Sequence, residues 1–178
     1  MIVEVAELAD LPAIVALEEH FGVRWSEDSW RAELTGDGRL VLAARVGCDP
    51  DGGGSGTGEL VGVACFQRLA EVVDLHRVVV APSQRRLGLA RAMLVAGLQW
   101  AIREGAARIV LEVEHDNEPA IALYRGHGFR PIAARADYYG PGADAVIMER
   151  PLEGVDADSV GVWDTEALEA SDTRGAVR

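Results

Sequence analysis

The stretch from residue 78 to residue 94 carries the first chemical signal, Val-Val-Val-Ala-Pro-Ser-Gln-Arg-Arg-Leu-Gly-Leu-Ala-Arg-Ala-Met-Leu. A β-rich run ends in a turn that holds two arginines and a glycine, and a helical pattern starts at once. The free N–H groups of a helix's first turn bind phosphate oxygens, and Gly88 and Ala90 leave room for a large anion. The segment predicts a cradle for a diphosphate, or else an ordinary strand-to-helix turn with solvated arginines.

A second segment, residues 108–129, combines a carboxylate, an asparagine and a tyrosine. Glu112 interrupts an otherwise apolar strand, so it lies at an opening in the sheet or needs a partner. Asp116 or Asn117 caps the helix that follows. Tyr124 projects from the apolar stripe of that helix and, taken alone, is typical of a core aromatic residue.

These segments sit within a regular succession of short elements. The pattern predicts strands over residues 2–6, 39–46, 59–69, 72–81, 108–114, 129–134 and 145–148. It predicts helices from residue 11, capped by Asp10, from residue 27, capped by Ser26, and over 87–104 and 117–125. The order indicates one α/β or α+β domain around a mixed sheet. The six glycines of residues 47–58 are typical of a flexible hairpin tip.

The charge balance limits the partners of this chain. Asp and Glu number 29 against 17 Lys and Arg, which gives a formal net charge of -12. Such a surface disfavours nucleic acid and anionic lipid, and it attracts protonated amines and basic peptides. No apolar run approaches the roughly 20 residues of a membrane span, and the N-terminus lacks a signal-peptide pattern. We therefore expect no membrane contact and a cytoplasmic protein.

The cysteines and histidines predict neither a disulfide nor a metal site. In a hairpin centred near residue 53, Cys65 faces Val41 and Cys48 faces the region of Gly58. The two thiols are then too far apart to bridge, and both are expected to be free. The four histidines show no metal-ligand spacing with one another or with the cysteines.

The C-terminal segment differs from the rest of the chain. Residues 152–178 hold seven acidic side chains and two arginines, with only scattered large apolar residues. This composition predicts a domain over residues 1–152 and a disordered acidic tail over 153–178. Trp163 and Leu168 are possible docking points of that tail.

Two motifs together resemble the GCN5-related N-acetyltransferase (GNAT) superfamily. Arg85-Arg-Leu-Gly-Leu-Ala90 is similar to its acetyl-CoA loop, (Q/R)-x-x-G-x-(G/A). Asn117-Glu-Pro-Ala-Ile-Ala-Leu-Tyr-Arg-Gly-His-Gly-Phe129 is similar to its N-x-x-A-x-x-L-Y-x-x-x-G-F segment. The resemblance spans about residues 1–152 and implies the GNAT fold, a mixed, mostly antiparallel central sheet flanked by helices.

Within the superfamily the chain looks most like the RimI type, the ribosomal-protein-alanine N-acetyltransferases. Three features carry this narrower resemblance: Trp25-Ser-Glu27, Leu111-Glu-Val113, and Tyr138-Tyr139 followed by Asp144-Ala-Val-Ile-Met148. The glycine-rich insertion and the acidic tail are not family features, and Ala90 stands where glycine is commoner.

The resemblance implies direct transfer of acetyl from acetyl-CoA to an amine, with no covalent enzyme intermediate. The backbone of three strand residues would hold the pantetheine and polarise the thioester carbonyl: Val78, Val79 and Val80. The loop and first helical turn would bind the pyrophosphate: Arg85, Arg86, Leu87, Gly88, Leu89, Ala90 and Arg91. Asn117 would contact the pantetheine arm.

The resemblance also implies the acid–base roles. Glu112 would accept the proton of the acceptor amine through water, and Tyr124 would protonate the departing thiolate. Tyr138 and Tyr139 would line the acceptor groove. For Glu18 and Glu19 the alternatives are contact with the incoming amine and a solvated helix end.

Amine basicity separates the substrate classes. A peptide α-amine has a pKa of about 7.7–8.0, whereas a lysine amine near about 10.4 is neutral in roughly one part in a thousand at pH 7.5. One carboxylate acting through water therefore favours an α-amine, and we expect acetylation of an N-terminal alanine of a ribosomal protein. The alternatives are a small-molecule amine as acceptor and a non-catalytic acyl-CoA-binding regulatory domain. His115 is either a partner near Glu112 or a surface residue.

Overall fold

The computed structural model describes residues 1–47 and 58–161. The strands within them are β1 (Ile2–Val5), β2 (Arg39–Val46), β3 (Glu59–Leu69), β4 (Val72–Val80), β5 (Arg108–Glu114), β6 (Arg130–Gly140) and β7 (Ala143–Pro151). The helices are α1 (Leu11–Glu18), α2 (Glu27–Thr35), α3 (Leu89–Arg103) and α4 (Glu118–Gly126). Most of the glycine-rich segment with Cys48, and the tail positions Trp163 and Leu168, lie outside the described residues.

The strands form one sheet in the order β1-β2-β3-β4-β5-β7-β6. Every neighbouring pair is antiparallel except β4 and β5, which are parallel and joined through α3. The mixed, mostly antiparallel sheet predicted from the sequence is confirmed. The hairpin register is confirmed as well, because Cys65 lies opposite Val41.

Strands β4 and β5 are paired over only part of their length. Their register runs from Val72 opposite Arg108 to Leu75 opposite Leu111, and no further. The next residue of β4, His76, is skipped in the pairing with β3, so it forms a β-bulge. Beyond the bulge the two strands part, and this opening positions the candidate site.

Alternation along the strands divides the core into two layers. Leu40, Leu42 and Phe66 face α3 and α4, whereas Val41 and Cys65 face α1 and α2. On β5 the apolar side chains point to the α3 layer, so the alternate residues point to the other face. Glu112 therefore lies on the same side of the sheet as α1 and α2.

Of the two N-caps predicted for α1 and α2, Asp10 and Ser26, the structure confirms one. Ser26 caps α2, as predicted, because its Oγ accepts a hydrogen bond from the backbone N–H of Ser29 at 3.1 Å. Asp10 precedes α1 but its side chain does not cap the helix. It accepts instead from the Glu7 backbone N–H and from the guanidinium of Arg45, a buried cation that needs carboxylate partners.

Several predicted boundaries are wrong. Helix α3 begins at Leu89 rather than residue 87, because Arg86 and Gly88 adopt positive φ angles of 68° and 85°. Strand β6 runs to residue 140, beyond the predicted end at 134. Residues 153–161 do not extend away as a disordered tail, since the Gly161 carbonyl accepts from Gln99 of α3 at 2.8 Å. In the described residues no helix is long and apolar enough to cross a membrane.

Candidate active site

The opening between β4 and β5 is the floor of a cavity, which we call the β4–β5 cavity. Its volume is about 490 Å³. Residues from four parts of the chain line it: Val23 and Trp25 of the α1–α2 loop, Asp74, Leu75, His76 and Arg77 of β4, Val110, Leu111 and Glu112 of β5, and Arg135, Tyr138, Tyr139 and Ile147 of the β6–β7 hairpin. The cavity thus gathers acids, bases and aromatic rings that are distant in sequence.

Glu112 satisfies both alternatives that the sequence left open for it. Its half-buried carboxylate faces the β4–β5 cavity, and it also has a partner, since Oε1 lies 2.6 Å from Nη1 of Arg135. A hydrogen bond between Tyr138 and Glu112 raises the pKa of that tyrosine, and partial burial raises it further. Glu112 is the acid of β5 that the fold presents to the cavity, and Glu114 is not among the lining residues.

Tyr138 and Tyr139 lie together on β6, beyond residue 134, where the sequence pattern ends the predicted strand. Their rings meet edge to face with centroids 5.0 Å apart, and both line the cavity. Burial, together with the negative charge of Glu112, raises the pKa of Tyr139 to about 12. Both hydroxyls therefore stay protonated at neutral pH.

Tyr124 lies beside the cavity rather than in its lining. It is 8% exposed and its ring packs against Phe129, with centroids 5.7 Å apart. Burial, with a smaller contribution from Tyr139, raises the pKa of Tyr124 to about 12. Tyr124 is therefore a buried core residue whose pKa is influenced by one residue of the cavity lining, Tyr139.

The turn between β4 and α3 presents a row of backbone donors. Positive φ angles at Arg86 and Gly88 turn the chain sharply before α3 begins. In the described part of the chain, no backbone carbonyl accepts from the N–H groups of residues 86–91. A side chain added at Gly88 would meet no atom within 4 Å, so a large anion has room to approach. The exposed side chains of Arg85 and Arg91 add positive charge.

Strand β4 leads directly into this turn. Val78, Val79 and Val80 pair with β3 on one edge, and their other edge faces the opening, because the pairing with β5 has already ended. Across the opening, Asn117 caps α4 through Oδ1, which accepts from the Ala120 N–H at 3.3 Å. Free amides at the turn and an unpaired strand edge fit a long ligand with a diphosphate at one end, as in acetyl-CoA.

The α1–α2 loop forms one wall of the β4–β5 cavity. Contacts of Arg77 hold this loop in place, and the sequence did not predict them. Glu18 is neither a solvated helix end nor a cavity residue: it is buried and bonded to Arg77. Arg77 also donates to the Val23 carbonyl at 2.6 Å and lies over the ring of Trp25. Glu19 is exposed and lies outside the cavity lining.

His76 connects the cavity to a buried polar cluster. Its Nδ1 lies 3.2 Å from Glu33 of α2, whose carboxylate also pairs with Arg39. Although burial acts to raise the pKa of Glu33, the hydrogen bonds of His76 and Arg39 hold it below its usual value. Together with Cys65, Glu33 and His76 form a group of three potential metal ligands whose ligand atoms all lie within 4.8 Å of one another. The spacing of these residues in the sequence did not predict this group.

His115 is exposed and lies outside the cavity lining.

Asp74 and Arg135 are further cavity residues that the sequence did not single out. Asp74 interrupts the apolar run of β4 just as Glu112 interrupts that of β5, so the same signal marks both positions. Arg135 gives no such signal, because an arginine near a strand end is usually a solvated surface residue. Its contact with Glu112 crosses an intervening strand and depends on the sheet order.

Comparisons with known proteins agree with this architecture. The family described as "Acetyltransferase (GNAT) family" matches residues 13–129. The N-alpha-acetyltransferase RimI of Mycobacterium tuberculosis is 34% identical over 131 residues, which cover 71% of this chain and 75% of that protein. Protein ML0378 of Mycobacterium leprae is 41% identical over 153 residues, and the match covers 82% of this chain but only 39% of that longer relative.

A solved structure gives the same result. The ribosomal-protein-S18-alanine N-acetyltransferase from Escherichia coli superposes with a TM-score of 0.74 at 26% identity, covering 92% of this chain and 99% of that one. The family match includes β4, the β4–α3 turn, β5 and α4, and it ends before the β6–β7 hairpin that completes the cavity. This chain is therefore a member of the GNAT family of N-acetyltransferases.

Proposed function

We propose that this chain transfers acetyl from acetyl-CoA to the α-amine at a protein N-terminus, and that the acceptor is an N-terminal alanine of a ribosomal protein. The observation that carries the proposal is the position of Glu112, a carboxylate facing a cavity that opens beside the unpaired edge of β4. The E. coli and M. tuberculosis relatives, by their names, act on an alanine or an α-amine of this kind.

The binding roles follow mainly from backbone groups that no neighbouring strand or helix pairs. The N–H groups of residues 86–91 receive the diphosphate of the cosubstrate, helped by the positive end of α3. The unpaired edge of Val78–Val80 holds the pantetheine, and Asn117 contacts the same arm from across the opening. Acetyl-CoA itself supplies an acyl group activated as a thioester.

The acid–base roles fall to two side chains of different character. Glu112 takes the proton of the acceptor amine, directly or through one water, so that the nitrogen lone pair attacks the carbonyl carbon. The carbon–sulfur bond then breaks and Tyr124 gives its proton to the sulfur. The attacking nitrogen loses its second proton, which returns to the Tyr124 phenolate through solvent, so that a neutral amide and a neutral thiol leave. The Tyr124 pKa of about 12 keeps the phenolic proton available throughout the neutral range.

The charge of the molecule supports an amine acceptor with an exposed positive charge. The net charge of -12 draws protonated N-termini toward the surface. Inside the cavity one carboxylate acting as the base suffices for an α-amine, a sizeable fraction of which is already neutral near pH 7.5. A lysine amine, about two and a half pKa units more basic, demands a stronger base.

The proposal is tested by offering acetyl-CoA with three acceptors: an Ala-initiated peptide, the same peptide with a blocked N-terminus and an internal lysine, and a polyamine. We expect product only from the free N-terminus, identified by mass spectrometry. Glu112→Gln should lower kcat by about 10²–10⁴-fold without changing acetyl-CoA affinity. Glu114→Gln, on the same face of β5 but outside the cavity, is the matched control and should retain activity.

Preferential acetylation of the polyamine would replace the proposal with a small-molecule acceptor. Tight acetyl-CoA binding without turnover on any amine would indicate a regulatory acyl-CoA-binding domain. An unchanged kcat in Glu112→Gln would reject Glu112 as the proton acceptor.

A further inference from the structure

A second carboxylate faces the β4–β5 cavity beside Glu112. Asp74 lies on β4 and pairs with Val110 of β5 in the parallel register. Glu112 follows Val110 by two residues on β5, so its side chain points to the same face of the sheet as that of Val110. Both acids point to the face of the sheet that carries α1 and α2, and both line the cavity. The fold thus places two acids, from different strands, in one half-buried site.

The two carboxylates differ in their partners. Glu112 is bonded to Arg135 at 2.6 Å. Within residues 1–47 and 58–161, no hydrogen bond or ion pair reaches the carboxylate of Asp74. Burial raises the pKa of Asp74, the charge of Glu112 adds to this effect, and the nearby His76 opposes it. Partial burial of a charged carboxylate without a partner carries a free-energy penalty, and binding of a cation from solution reduces that penalty.

The basic residues of the cavity do not supply that cation, because each is bonded to another acid. Arg77 holds Glu18, His76 is bonded to Glu33, and Arg135 holds Glu112. The titratable and charged groups that face Asp74 are His76 and Arg77 from β4, Glu112 from β5, and Arg135, Tyr138 and Tyr139 from β6. The remaining source of positive charge in this space is the acceptor itself.

We propose that Asp74 binds the protonated amine of the acceptor and holds it beside Glu112, the base that removes the proton. This inference rests on the proposed function and assigns its acceptor-binding group. The contacts of the two carboxylates give them different roles. Asp74, which has no partner in the described residues, attracts the ammonium group of the acceptor. Glu112 is held in place by Arg135 and accepts the proton from the reacting nitrogen. Asp74 is a binding residue for the charged form of the substrate.

The proposal predicts a pH-dependent effect that a structural role would not produce. A peptide α-amine with a pKa of about 7.8 is protonated in about nineteen parts of twenty at pH 6.5 and in about one part of fifty at pH 9.5. Asp74→Asn removes the charge but keeps the side-chain shape. We expect Asp74→Asn to raise the acceptor KM by about ten- to a hundredfold at pH 6.5. At pH 9.5 the KM of the variant should approach that of the wild type, because little of the amine is then protonated.

Two measurements separate binding from folding. Acetyl-CoA affinity, measured by calorimetry, should be unchanged in Asp74→Asn, and the melting temperature should be unchanged or higher because an unpaired carboxylate is removed. Glu71→Gln is the matched control: it removes one negative charge three residues away, at the end of β4 remote from the cavity, and should leave the acceptor KM unaltered at both pH values.

A KM ratio that is the same at pH 6.5 and 9.5, or that stays at one, overturns the role of Asp74 while leaving the proposed function intact. If the wild-type protein acetylates no peptide, the proposed function fails first. Calorimetry with spermidine then tests Asp74 separately: weaker binding in Asp74→Asn at pH 6.5 supports an ammonium site, and equal binding overturns it.

Discussion

The guanidinium of Arg77 bonds both carboxylate oxygens of Glu18, with Nε 2.5 Å from Oε1 and Nη2 2.7 Å from Oε2. Trp30 donates to the same carboxylate from α2 at 3.2 Å. The side chain of Glu18 is only 2% exposed. One buried ion pair therefore ties α1, α2 and β4 together at the wall of the β4–β5 cavity.

Removing one partner of this pair should be strongly destabilising. In Glu18→Gln the carboxylate charge is lost and Arg77 keeps a largely buried, uncompensated charge. We expect the free energy of unfolding to fall by about 3–5 kcal/mol, measured by denaturant titration. Glu27→Gln is the control, because Glu27 and Arg31 form an exposed pair one helical turn apart. Its effect should stay within about 0.5 kcal/mol. Equal losses in the two variants would contradict a structural role for the buried pair.

Glu18 also shows why part of the site could not be predicted from the sequence. A helix-end glutamate looks the same in sequence whether it is solvated or buried, and its partner lies 59 residues away. The Ser26 cap was predictable because both of its atoms lie within four residues. Arg135 is likewise invisible in sequence, since its contact with Glu112 depends on the order of β5, β7 and β6.

Strand prediction succeeded where alternation was regular and failed where turn residues occur inside a strand. The bounds of β2, β3 and β5 are those predicted. Strand β6 was predicted too short, because the segment Tyr-Tyr-Gly-Pro-Gly is typical of a turn. In the structure its first two residues still lie in β6, although the register with β7 is irregular between Arg135 and Gly140. Helix α3 was predicted to begin two residues too early, because positive φ angles leave little trace in sequence.

Tyr124→Phe tests the proposed acid. The substitution keeps the ring against Phe129 and removes only the hydroxyl. We expect kcat to fall by about 10²–10⁴-fold in a steady-state assay, because the thiolate leaves without a proton donor. Acetyl-CoA affinity and the melting temperature at pH 7 should hardly change. A kcat close to that of wild type would assign Tyr124 to the core alone.

The same tyrosine predicts a loss of stability in alkaline solution. Burial raises the pKa of Tyr124 from about 10 to about 12 in the folded protein, so folding favours the neutral form. That contribution is complete below pH 10 and is lost as the pH rises toward 12. The unfolding free energy of Tyr124→Phe should therefore decline less steeply between pH 10 and 12 than that of the wild type. Parallel declines would show that the Tyr124 hydroxyl is not buried in solution.

Gly88→Ala tests the proposed diphosphate-binding role of the β4–α3 turn, and Gly105→Ala is its matched control at the other end of α3. Both glycines have positive φ angles, 85° and 72°, and at neither would an added Cβ meet an atom within 4 Å. Each substitution should cost about 1–2 kcal/mol of stability through backbone strain. Only Gly88 adjoins the free N–H groups of residues 86–91, so only Gly88→Ala should weaken acetyl-CoA binding, by about tenfold or more in calorimetry. Equal affinities in the two variants would place the diphosphate elsewhere.

Packing of α3 on the sheet gives a test that is independent of function. Gly97 lies directly over the ring of Phe66, and a Cβ added there would overlap the ring atoms. Gly97→Ala should lower the unfolding free energy by about 1–3 kcal/mol, because a tightly packed core accepts no extra carbon without displacing its neighbours.

Gly126→Ala is the control for this packing, since Gly126 is an exposed residue of α4 whose added Cβ would meet nothing within 4 Å. Alanine is a better helix former than glycine, so this variant should be unchanged or more stable by up to about 1 kcal/mol. Thermal and denaturant unfolding of the two variants should thus shift in opposite directions. If Gly97→Ala matched Gly126→Ala, the close approach of α3 to β3 at Phe66 would be contradicted.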